Sequence, residues 1–134
     1  MSRGVEVVGL YVQDQDEALA FYGKLGFRVH TDVRNGEYRW LTVQHPEQPS
    51  FQLGLFYPGP PVHDAATAQA LRAFLAKGAM PPLVLAVDDC RAAYEKMRAA
   101  GVEFTQEPMS RFGAVDASFR DPSGNGWKMI GRKA

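Results

Sequence analysis

Three histidines, one cysteine and one lysine set in an apolar run are the residues that could do chemistry in this 134-residue chain. His30, His45 and His63 show no close pairing at i+2 or i+4, the spacing that places two imidazoles on one strand or helix face to share a metal ion. They read as surface or structural histidines. Cys90 follows Asp89 at a helix start, where the helix dipole lowers a thiol pKa, but Asp88 and Asp89 oppose that effect. It reads as a small residue in a first helical turn, and no residue is assigned a catalytic role. Lys128, within Trp127-Lys128-Met129, brings three donors and no acceptor into an apolar strand. Two roles are open to it. Its ammonium holds an anionic or carbonyl-bearing ligand, resting against Tyr11 or Trp40 when empty, or its stem covers apolar surface and its head reaches water, Asp116 or Glu37.

The elements that position these residues need a core, and 46% hydrophobic against 22% charged residues supply one. The length suits one domain, residues 1–134, with a first module over about 1–58, a linker with a helix over about 59–80 and a second module over about 81–134. Fifteen basic residues balance fifteen acidic ones, so no net field attracts a polyanion and nucleic acid is not expected as a partner. A single cysteine makes no intrachain disulfide, no apolar run approaches the ~20 residues that cross a bilayer, and the start Met-Ser-Arg-Gly-Val-Glu lacks a signal-peptide core. A soluble cytoplasmic protein without membrane contact is the expectation.

Laying the segment from Leu10 over that from Leu85, an offset of 75, shows an internal repeat. Leu10 to Asp14 matches Leu85 to Asp89, and Ala18, Gly26, Phe27 and Val29 fall on Ala93, Gly101, Val102 and Phe104. In each copy an apolar strand ends at an aspartate that caps the next helix, and a glycine twelve residues on supplies the left-handed stop. Ala18, Phe21 or Tyr22, and Leu25 share one helical face in the first copy, as do Ala93, Met97 and Ala100 in the second. Strand patterns follow at Phe27 to Val33, Tyr38 to Val43 and Phe51 to Tyr57, then at Val102 to Gln106, Ala114 to Arg120 and Gly126 to Ile130. Each copy therefore reads βαβββ, an α+β arrangement. Between the copies Asp64 caps a helix to about Lys77, with Ala68, Leu71, Phe74 and Leu75 as its apolar face; a packed spacer and a lid over a pocket are both open.

Val12-Gln13-Asp14, Ala18 to Tyr22, Leu25-Gly26-Phe27 and Phe119 to Asn125 together resemble the vicinal oxygen chelate superfamily, which takes in glyoxalase I, extradiol dioxygenases and bleomycin-resistance proteins. The resemblance covers nearly the whole chain. It implies two βαβββ modules curling into an open U-shaped mixed sheet around a cavity, helices outside, in a protein that is commonly a homodimer. In metal-dependent branches it also implies ligands at four strand positions, which here are Val7, Gly54, Pro82 and Lys128. Val, Gly and Pro side chains offer no donor atom, and an ammonium beside a dication repels it. A slip of one residue brings up only Glu6 as a ligand, and such a slip turns the side chain to the other sheet face. No metal and no other cofactor is expected.

Alternation along the strands then defines a cavity face without a metal. Val7, Gly9, Tyr11, Gln52, Gly54, Phe56, Val84, Ala86, Lys128 and Ile130 share one parity, while the other, from Val8 and Leu10 to Trp127 and Met129, is almost wholly apolar and belongs under the helices. Tyr11, Gln52, Phe56 and Lys128 are thus candidate ligand-binding residues. Trp40 and Phe112 join them, although Trp40 also suits a core position and Phe112 lies in a loop. The reading is a metal-independent binding protein holding a small organic ligand, anionic or aromatic. A metal-dependent lyase or dioxygenase with displaced ligands is the rival, and a protein with a closed, side-chain-filled cavity is a third reading.

Overall fold

Aspartates open all three helices of the computed structural model, which describes residues 1–132. The Asp14 carboxylate accepts from the amide of Glu17 at 2.9 Å, that of Asp64 from Thr67 at 2.8 Å and that of Asp89 from Ala92 at 3.1 Å. Each satisfies a free donor of a first turn. They start α1 (Gln15–Lys24), α2 (Ala65–Ala76) and α3 (Cys90–Ala99). Gly26 (φ 97) and Gly101 (φ 95) then turn the chain away from α1 and α3 through the left-handed region.

Eight strands complete two βαβββ modules. They are β1 (Val7–Tyr11), β2 (Arg28–Asn35), β3 (Tyr38–Gln44) and β4 (Gln52–Phe56), then β5 (Leu83–Val87), β6 (Phe104–Arg111), β7 (Ala114–Arg120) and β8 (Gly126–Gly131). The first four form one mixed sheet in the order β1-β4-β3-β2 and the second four another in the order β5-β8-β7-β6. The β1–β4 and β5–β8 pairs are parallel and the other neighbouring pairs antiparallel. Strand β6 runs on past the expected end at Gln106 to Arg111, through register shifts that keep it paired with β7. Among the described residues no helix is long and apolar enough to cross a membrane.

One core serves both sheets. Leu10, Val12, Leu41, Leu53 and Leu55 from the first sheet, and Val115, Phe119, Trp127 and Met129 from the second, are buried together with Phe21 and Tyr22 of α1 and Tyr94 and Met97 of α3. Phe21 packs on Phe119 with ring centroids 6.2 Å apart, and the Tyr22 hydroxyl accepts from the indole Nε1 of Trp127 at 3.0 Å. Helix α1 thus lies between its own sheet and that of the other module. With both sheets turning the same parity inward, the opposite parities face outward, one on each side of the molecule. Edge strands β1 and β5 are not hydrogen-bonded to each other within the chain. The two βαβββ modules are as the sequence indicates, each a four-strand mixed sheet, and α1 joins them through Phe21 on Phe119 and Tyr22 on Trp127.

Helix α2 is a packed spacer. Its Ala68 and Leu75 are buried, Gln13 donates to the Arg72 carbonyl at 2.9 Å, and Arg72 donates to the Pro58 carbonyl at 2.8 Å. Phe74, expected on its buried face, is half exposed, with the Lys77 ammonium 4.9 Å from its ring centre.

Candidate functional site

Strand register arranges the outer face of the first sheet in rows. Tyr11 pairs with Phe56 across β1 and β4, and Trp40 pairs with Val33 across β3 and β2, which makes an apolar and aromatic row. The next row is small: Gly9 beside Gly54, then Thr42 and Thr31. Beyond it stand Val7 and Gln52. Phe56 and Trp40 are in contact, with centroids 4.8 Å apart and planes at 38°. Trp40 is 37% exposed, so it faces outward rather than into the core. The Gln52 side-chain oxygen accepts from the Thr42 hydroxyl at 2.7 Å, and that pair is buried. The Tyr11 hydroxyl and His63 Nε2 stand 3.3 Å apart, with the rings edge to face. No charged side chain stands in the first two rows, while beyond Thr42 the third continues through Gln44 of β3 to its partner Arg28 of β2.

The outer face of the second sheet has the opposite character. Ser118 pairs with Lys128 and Asp116 with Ile130 in the register of β7 and β8, and Gln106 and Met109 follow on β6. The Asp116 carboxylate accepts from Lys128 Nζ at 3.1 Å and from Arg111 Nε and Nη2 at 2.8 and 2.9 Å. Gln106 donates to Asp116 Oδ1 at 3.1 Å, while its own oxygen accepts from Ser118 and Arg111 at 3.2 Å. The Arg111 hydrogen bonds, with those of Gln106 and Lys128 behind them, outweigh the cost of burial and hold the Asp116 carboxyl well below the usual carboxylate range. Two cations thus share one anion, leaving this cluster one positive charge.

Tyr11, Trp40, Gln52 and Phe56 are therefore brought together, and Lys128 is not among them: it occupies the opposite side of the molecule. Its ammonium is paired with Asp116, not with Tyr11 or Trp40. Phe112 sits at the tip of the β6–β7 hairpin, fully exposed and with a left-handed φ of 54. Sequence reasoning missed Arg111 and Gln106 as neighbours of Lys128, because the bulges in β6 break the simple alternation that would have placed them on one face. A cleft of about 960 Å³ lies between the two sheets at β5, lined by apolar Val8, Leu53, Leu85 and Trp127 and by polar His45, Glu47 and Asp88.

The metal positions implied by the resemblance do not fit an ion. Phe56 lies over the place a side chain at Gly54 would occupy, and the Lys128 ammonium is already paired with Asp116. Among the described residues there is no group of three His, Cys, Asp or Glu able to hold a metal ion.

Duplicated βαβββ modules with this strand order define a fold class, and the comparisons place the chain within it. Residues 4–129 match the family model described as Glyoxalase/Bleomycin resistance protein/Dioxygenase superfamily, and the chain belongs to that family. It is similar to the solved structure of UcmS2, with 44% identity, a TM-score of 0.90 and coverage of 97% of this chain and 98% of that one. TnmS3, described as an antibiotic binding protein from Streptomyces sp. CB03234, is 25% identical with a TM-score of 0.73, over 96% of this chain and 94% of its own. The uncharacterized protein YurT of Bacillus subtilis (strain 168) is 34% identical over 90% of this chain and 93% of its own length.

Proposed function

We propose that this chain binds a small organic ligand without a metal, in a cup formed when the outer face of the first sheet of one copy meets the outer face of the second sheet of another. The observation that carries this reading is the complementarity of the two faces: one offers Tyr11, Phe56 and Trp40, the other Lys128 and Arg111 around Asp116. An aromatic wall facing a cationic one suits an aromatic ligand with an anionic or carbonyl substituent. Phe112 stands at the rim of such a cup, and Gln52 at its polar end. The antibiotic-binding description of TnmS3 supports a role in holding a small molecule rather than transforming it. The rival reading, a metal-dependent lyase or dioxygenase, finds no group of three donor side chains among the described residues.

A second copy is favoured by area. A monomer of 14.8 kDa exposes about 7,000 Å² by the usual scaling. This chain exposes 8380 Å². The excess exceeds the ~800 Å² that each partner contributes to a standard interface. Unpaired edges β1 and β5, with the cleft between them, are where the partner fits.

Subunit mixing tests the proposal. Trp40→Ala and Lys128→Met each damage one wall, so each homodimer loses affinity for naphthalene-2-sulfonate. Mixing the two variants regenerates an undamaged cup in the heterodimer, with wild-type affinity at about a quarter of all sites after random reassortment. No recovery on mixing, or a monomer by light scattering that binds the probe, overturns the shared cup.

A further inference from the structure

Side chains on a sheet stand roughly perpendicular to it, so an aromatic ring lies flat only where the residues beneath lack a Cβ. Phe56 meets that condition twice. Its Cδ2 and Cε2 are 2.7 Å from where a Cβ on Gly9 would stand, and its Cε2 is 2.6 Å from that position on Gly54. Both are far inside the ~3.5–4.0 Å of an ordinary carbon–carbon contact. Gly9 and Gly54 are register partners on adjacent strands, so their missing side chains form one continuous trough. The Phe56 ring fills it, and Trp40 extends the surface on the neighbouring strand. Neither glycine has a left-handed φ, so a turn does not explain them.

We infer that Gly9 and Gly54 are specificity-determining residues: they let Phe56 lie down as a flat floor, which with Trp40 selects planar aromatic ligands over puckered ones of the same size and charge. The inference rests on the reading of this face as one wall of the ligand cup. Dispersion decides the preference, because a gap of 0.5–1 Å forfeits a quarter to a half of each contact, and a puckered ring leaves such gaps over a flat floor. A side chain at either glycine would stand Phe56 up into the cup, shortening its depth and removing the floor together.

The test compares naphthalene-2-sulfonate with its saturated counterpart trans-decahydronaphthalene-2-sulfonate by titration calorimetry, since the common charge cancels the contribution of Lys128. The wild-type protein is expected to favour the aromatic probe about tenfold. Gly54→Ala should lower naphthalene-2-sulfonate affinity about tenfold, with folding checked by circular dichroism. Phe56→Leu, which creates no clash, should keep the fold and bring the two affinities within about twofold of each other. Equal affinities in the wild type, or a preference that survives Phe56→Leu, overturns the floor while leaving the cup in place. Failure of both probes to bind, together with failed complementation on subunit mixing, overturns the cup itself.

Discussion

The Tyr22 hydroxyl donates to Oδ2 of Asp121 across 2.6 Å, at a buried seam where the helix of one module meets the turn of the other. Asp121 is already engaged: its Oδ1 accepts the amides of Ser123, Gly124 and Asn125 at 3.0, 2.9 and 2.8 Å, which shapes the turn into β8. Asn125 donates from its side chain to Asp121 Oδ2 at 2.8 Å and to the Tyr11 carbonyl at 2.7 Å, carrying the network to the end of β1. One phenol thereby ties α1 to β1, β8 and the Trp127 indole. Burial, and then the adjacent carboxylate, hold this phenol far above the usual tyrosine range, so it keeps its proton as a donor.

Tyr22→Phe removes the acceptor of the Trp127 indole and a donor to Asp121 without changing the ring. Leaving such buried groups unpaired costs about 1–3 kcal/mol. Melting followed by circular dichroism should show Tm falling by roughly 4–10 °C, and an unchanged Tm would mean that the seam contributes little.

Asp116 sets an acid limit on stability. Its folded pKa lies below that of the unfolded chain, so its contribution is complete above the unfolded value of about 3.9 and is lost as pH falls through the depressed folded value. Below about pH 4 the unfolded state binds the proton first, and stability declines with falling pH. Urea unfolding midpoints for wild type and Asp116→Asn should therefore differ most near neutrality and converge toward pH 2. A constant difference across that range would rule out this carboxylate as the source.

What could be read from the sequence was what neighbours along the chain decide. The caps at Asp14, Asp64 and Asp89, the glycine stops at Gly26 and Gly101 and the alternation from Val7 to Val12 are local, and each is present in the fold. The sheet-to-sheet relation was not legible, because it depends on Phe21 and Tyr22 reaching Phe119 and Trp127 about a hundred residues away in sequence. Hence six candidate residues drawn from one parity and its neighbours divide between two faces and a hairpin tip. The clustering of Arg111 with Lys128 was hidden for another reason, a bulged strand whose parity drifts. Phe74 shows the limit of periodicity in a short helix: it is spaced for burial, yet α2 buries only Ala68 and Leu75.

Gly124 joins α2 to the same turn. Its φ of 114 lies in the region that favours glycine, and a Cβ there would collide with the carbonyl oxygen of Leu75, a backbone atom that cannot swing aside. Gly124→Ala should therefore destabilise by more than the ~1 kcal/mol of an ordinary glycine effect and should loosen α2 specifically. Hydrogen exchange would show this as faster exchange of amides in α2, with protection in β7 retained. Uniform loss of protection, or none, would argue against a local clamp.

Lys128 and Asp116 make opposite predictions for one ligand, which separates electrostatics from shape. Lys128→Met removes a cation and leaves Asp116 held by Arg111, so the charge of the cluster falls from one to zero. Asp116→Asn keeps both cations, frees them from their shared anion and raises the cluster to two positive charges. Affinity for naphthalene-2-sulfonate should drop about tenfold in the first variant and rise several-fold in the second, both effects shrinking as salt is raised past the Debye range. Stability should move the other way, falling in Asp116→Asn and staying near wild type in Lys128→Met, because methionine keeps the apolar stem and Asp116 remains held by Arg111. Calorimetric titration of both variants at low and high salt decides the matter: if the two changes shift affinity in the same direction, the second sheet acts on the ligand through packing, and the charge of Lys128 is not what recognises it.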